Sequence, residues 1–88
     1  MKIISDSVNI NFDYFNSFEQ ERNTILMLHG FTGSLDDWRK IHSSLNPSFN
    51  YFGIDLVGHG KSDSPNIVDK YSPQAVSKQI NDLLKNLS

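Results

Sequence analysis

Ile25-Leu26-Met27-Leu28-His29-Gly30-Phe31-Thr32-Gly33 decides the fold of this 88-residue chain. Its first half is an unbroken apolar run, the pattern of a strand buried on both faces. Its second half is a turn punctuated by glycine. In open α/β sheets, a turn at the carboxyl end of a buried strand and ahead of a helix is where ligands sit. Gly30 and Gly33 are expected to supply positive φ or a close backbone approach to a ligand. Free N–H groups in such a turn can hold a developing negative charge.

Upstream, Val8, Ile10, Phe12 and Tyr14 alternate with Asn9, Asn11 and Asp13. That period of two reads as a half-buried strand, with a short one at Ile3-Ile4 before it. The polar run over residues 16–23 reads as a solvated turn into the strand from Thr24 to Leu28. Downstream, Ser34 is placed to cap a helix with Asp36 and Asp37 in its first turn, where the helix dipole favours negative charge. Trp38, Ile41 and Leu45 share one face of it, and Asn46-Pro47 ends it. Tyr51-Phe52-Gly53-Ile54-Asp55 reads as a second buried strand and residues 56–65 as a long turn. Ser72 and Pro73 then open a helix whose apolar face is Val76, Ile80, Leu83, Leu84 and Leu87. The order predicts an α/β fold: initial antiparallel strands, then βαβα with the later strands parallel and a helix on each face, a three-layer sandwich.

Composition removes several function classes. Eighty-eight residues make one small domain at most, and a chain of this size buries only about 60–65% of its unfolded surface. The eight Lys and Arg are scattered and the net charge is −2, so no nucleic-acid partner is expected. Without cysteine there is no disulfide, thiolate metal site or thiol nucleophile. His29, His42 and His59 lack the spacing of a zinc pair, so no metal and no cofactor is expected. Nothing resembles a signal peptide or a membrane span, and a soluble, cytoplasmic protein is the expectation.

Leu28-His29-Gly30-Phe31-Thr32-Gly33-Ser34, then Trp38, then Ile54-Asp55-Leu56-Val57-Gly58-His59-Gly60-Lys61-Ser62, resembles the amino-terminal third of an α/β-hydrolase-fold protein. The pairing of the two turns carries the resemblance; either alone is weak. Within that superfamily the HGFTGS and DLVGHGKSDSP versions are most similar to the pyruvate-eliminating synthases of menaquinone biosynthesis. The resemblance implies that the backbone N–H of Phe31 is one of two oxyanion donors, the other following the nucleophile. It implies a small-molecule substrate near His29, Gly30, Phe31, Thr32 and Trp38, with Gly33, Asp55, Gly58, His59, Gly60 and Ser62 shaping the turns. The G-x-S-x-G elbow that would carry the nucleophile does not occur in the 88 residues, and its acid and histidine partners cannot be placed. The chain therefore reads as the N-terminal fragment, residues 1–88, of a single domain.

Substitutes for the nucleophile fail. Ser62 lacks the second elbow glycine and lies well past its strand, so a turn-stabilising hydroxyl is the better account. Gly60-Lys61-Ser62 is no P-loop, since Asp55 stands where that motif needs glycine and no helix follows at once. Asp63 replaces the third glycine of a dinucleotide fingerprint. His29 and His59 read as residues that fix the two turns, His42 as a helix-surface residue, Trp38 as core packing more than substrate contact, and Asp55 as a partner for backbone groups of its own turn. In the resembled fold the strand from Ile25 to Leu28 is flanked on both sides. Here its far side would be an open edge and a route to self-association, leaving the chain alone poorly folded or aggregating. Two other functions stand beside the lyase: a generic serine ester or carbon–carbon bond hydrolase, and a non-catalytic module that pairs with another chain.

Overall fold

Alternation becomes a hairpin. Lys2–Ser5 (β1) and Val8–Tyr14 (β2) pair antiparallel, with Ile3 opposite Ile10 and Ser5 opposite Val8, in a computed structural model that describes residues 1–87. The two residues between them, Asp6 and Ser7, take φ of 48° and 67°. Two positive values are what a two-residue hairpin needs to follow the twist of its strands.

The central strand is Asn50–Ile54 (β4), every residue of which is buried. It runs antiparallel to β2, Phe12 opposite Ile54, and parallel to Thr24–Leu28 (β3), Leu26 opposite Phe52. The sheet order is β1-β2-β4-β3. Consecutive strand residues point to opposite faces, so β4 feeds two cores. Phe52 and Ile54 join Ile3, Val8, Ile10 and Phe12 beneath Val57 and Leu83. Tyr51 packs with Phe15 and Leu35, flanked by Met27, Trp38, Leu45 and Phe49. Leu83 belongs to the C-terminal helix Pro73–Leu87 (α2), with Val76, Ile80 and Leu87 beside it. The Ser72 hydroxyl accepts from the Ala75 N–H at 3.1 Å, the cap expected from sequence. Among the described residues no helix is long and apolar enough to cross a membrane.

Several expected features differ in the structure. The apolar run of β3 is not buried on both faces: the strand has one ladder, to β4, and Ile25 and Leu28 are 38% and 45% exposed. Hydropathy registers what a strand can bury and not whether a neighbour is there to cover it. The helix after Ser34 is also shorter than its apolar spacing predicts. It spans Asp36–Arg39 (α1) and yields to a 3₁₀ turn over His42–Ser44, with Ile41 exposed. Ile41, His42, Ser43 and Ser44 are poor helix formers, and the His42 Nδ1–H bonds back to the Arg39 carbonyl at 2.9 Å. His42 is no simple surface residue either, since its ring stacks on Phe15 at 5.5 Å. Ser34 lies one residue outside the cap, though its hydroxyl still accepts from the Asp36 N–H at 3.3 Å. Finally, the polar run 16–23 is anchored: the buried Asn50 amide accepts from the Glu19 N–H and donates to the Glu19 and Arg22 carbonyls.

Candidate functional site

Where β3 ends, the chain turns back within four residues, and the Gly33 N–H donates to the Gly30 carbonyl at 3.0 Å. Such a turn with positive φ at its third residue usually places glycine there. Here Thr32 takes that position, with φ of 66°, and neither Gly30 nor Gly33 has positive φ. The expected conformational role of those two glycines is thus replaced by a spatial one. A Cβ at Gly33 would collide with the Asp37 carboxylate, whereas one at Gly30 would meet no atom within 4 Å. A β-branched residue in the left-handed region stores about 1–3 kcal/mol of strain. Phe31, second in the turn, has a backbone N–H with no hydrogen-bond partner among the described residues, and its side chain is 91% exposed.

His29 joins this turn to the one after β4. Its Nε2 accepts from the Leu56 N–H at 3.0 Å, so the ring proton sits on Nδ1 and is donated to the Gly30 carbonyl at 2.7 Å. Both nitrogens are committed and the residue is buried. His29 therefore acts through the backbone it positions, fixing the two turns as the sequence reading has it.

Asp55 is the platform beneath both turns. Its Oδ1 accepts from the Leu35 N–H at 2.8 Å, and its Oδ2 from the Lys61 N–H and Asn11 Nδ2, both at 2.9 Å. Only one of these bonds lies within its own turn, the arrangement expected from sequence; the others reach α1 and β2. Burial pushes the carboxyl up, but the Leu35 and Lys61 amides and then Asn11 outweigh it and hold the group below its ordinary value. Gly60, at φ 51°, is where the chain passes against this carboxylate, and any Cβ would overlap it. Ser62 is buried, donating to the Asp55 carbonyl at 2.5 Å and accepting from the Asn11 N–H at 2.8 Å.

The two turns face each other across an open cleft of about 460 Å³, with Phe31, Thr32 and Gly33 on one wall and Gly58, His59, Gly60, Ser64 and Tyr71 on the other. Of the expected site residues, six line it. His29, Gly30, Asp55 and Ser62 are not among its lining residues. Trp38 does not line the cleft: it packs with Phe15, Leu35 and Tyr51, in keeping with the core reading. Sequence reasoning missed Tyr71, whose ring packs on Gly58 at φ 80° and whose hydroxyl donates to the Pro65 carbonyl at 2.8 Å. It also missed Asn9, which clamps Asp63 Oδ2 with its N–H and side-chain amide at 2.8 and 3.1 Å. Among the described residues no group of three metal-ligating side chains comes together.

The sequence profile of a family described as alpha/beta hydrolase fold matches residues 23–88. Epoxide hydrolase 3 of Xenopus tropicalis is 30% identical over 78 residues, covering 89% of this chain and 21% of that protein. A Bacillus subtilis protein provisionally named 2-succinyl-6-hydroxy-2,4-cyclohexadiene-1-carboxylate synthase is 37% identical over 59 residues, 67% of this chain and 20% of its own. The crystal structure of an enol-lactonase from Burkholderia xenovorans LB400 superposes with a TM-score of 0.86 at 16% identity, covering 99% of this chain and 33% of that one. The chain thus spans about a fifth of the length of these two curated relatives.

Proposed function

Because the chain belongs to the alpha/beta hydrolase fold family, we propose that it supplies the oxyanion-holding turn of a catalyst of that family, with the Phe31 N–H as one donor. The observation that carries this reading is the unpartnered Phe31 amide beside the cleft, on a turn braced by His29 and Asp55. A fixed amide aimed at an oxygen that gains charge in the transition state contributes about 2.7–4 kcal/mol, since no reorganisation is needed when the charge appears. The nucleophile, acid and base of the reaction lie, in this reading, on polypeptide outside the 88 residues.

We further propose the reaction class of the pyruvate-eliminating synthases. A base removes a proton from the substrate, the resulting negative charge spreads onto oxygen held by the Phe31 N–H, and pyruvate departs. Support comes from the paired turns and from the Bacillus subtilis relative. A hydrolase is the second reading, favoured by the longer stretch over which the Xenopus tropicalis relative aligns. The protein carrying this chain should be assayed for pyruvate release from the synthase substrate and for cleavage of an aryl ester and an epoxide. Pyruvate release supports the lyase; ester or epoxide cleavage without it supports the hydrolase.

A further inference from the structure

We infer that His59 selects the substrate: its Nε2 accepts a hydrogen bond from a hydroxyl adjacent to the oxygen that the Phe31 amide holds, so the cleft takes hydroxy-carbonyl compounds. This rests on the reading of Phe31 given above. The tautomer is fixed by the fold. His59 Nδ1 lies 3.0 Å from the Val57 carbonyl oxygen, which can only accept, so Nδ1 carries the proton and the neutral ring keeps Nε2 as an acceptor. That nitrogen has no partner among the described residues, and it is not among the buried unpaired atoms, so it reaches solvent from a ring that lines the cleft.

The ring is also held in place. His29 lies against it at 4.8 Å between centroids, and Phe31 meets it edge-on at 6.1 Å. The Tyr71 hydroxyl donates to the Pro65 carbonyl and so faces the cleft as an acceptor only, while the Ser64 and Thr32 hydroxyls rotate and can donate or accept. Among the described residues no Asp, Glu, Lys or Arg lines the cleft. The wall thus sets the Phe31 amide as a donor and His59 Nε2 as a ring-nitrogen acceptor among aromatic rings, a pair that a carbonyl beside a hydroxyl complements.

The test is titration of the ¹⁵N-labelled protein with 2-hydroxy-1-phenylethanone and with acetophenone, following the Phe31 amide resonance. The hydroxy ketone should bind about five- to tenfold tighter, the value of one neutral hydrogen bond. His59→Asn, whose amide can still reach the Val57 carbonyl, should lose that preference. His59→Gln, which can extend an amide oxygen to the Nε2 position, should retain it. Equal affinity of the two ketones in the unaltered protein, or a preference that survives His59→Asn, overturns the assignment. If neither ketone moves the Phe31 amide, the oxyanion reading fails and the inference fails with it.

Discussion

Three donors converge on the carboxylate of Asp55, two of them backbone amides from different parts of the chain. Hydrogen bonds to a buried charge are worth about 1.5–3 kcal/mol each when made, and the loss is larger when a donor is left facing a donor. Asp55→Asn sets an NH₂ against either Leu35 or the Lys61–Asn11 pair, and should cost about 3 kcal/mol by denaturant unfolding at neutral pH. The sign of the pH effect follows from the depressed folded value. The stabilisation is fully present above the unfolded carboxyl value of about 3.9 and is lost as pH falls through the folded one. The unaltered protein should therefore lose stability below about pH 4, and Asp55→Asn should remove part of that acid slope. At Thr32 the expectation is opposite. Thr32→Gly releases the strain of φ 66° and should raise stability by about 1 kcal/mol, read as a higher unfolding midpoint.

Among the elements, α2 is held by one fully buried side chain. Leu83→Ala should cost about 3 kcal/mol, from the lost transfer energy and the cavity left between the helix and Phe52 and Ile54. The same helix was legible in the sequence because its cap, its first-turn proline and its apolar spacing agreed. The strands were equally legible from their alternation and apolar runs. What alternation did not disclose was the use of β2's polar face. Asn9 and Asn11 look like solvent-side residues, but they hold Asp63, Ser62 and Asp55 of the loop after β4. Period reports which side a residue faces and is silent on what comes to cover that side. The helix after Ser34 was overextended for a related reason: Trp38, Ile41 and Leu45 have the right spacing, but residues 41–44 have too little helix propensity to bridge it. The paired turns were readable as motifs, while the spacing of Gly30 and Gly33 does not encode that Thr32 takes the positive φ and that Gly33 is needed for its close approach to Asp37.

For the whole molecule the consequential feature is β3, which pairs on one side only and has no charge, proline or bulge along Thr24–Leu28 to guard the other. We expect the chain to associate through that edge. Sedimentation velocity across a concentration series should show assemblies that Ile25→Lys suppresses; the unaltered chain remaining a sharply melting monomer at every concentration would contradict this. The proposed catalytic role rests on a single backbone hydrogen, that of Phe31. Phe31 occupies the second position of its turn, where proline is well accommodated. Phe31→Pro deletes that hydrogen, and Phe31→Leu keeps it while changing the ring. The decisive measurement is kcat for these two variants of the protein carrying this chain, alongside their melting temperatures. If the Phe31 N–H holds the oxyanion, kcat falls about 10²–10³-fold for Phe31→Pro at an unchanged melting temperature, with Phe31→Leu within a few-fold of the parent; a folded Phe31→Pro variant that turns over as fast as Phe31→Leu rules that role out.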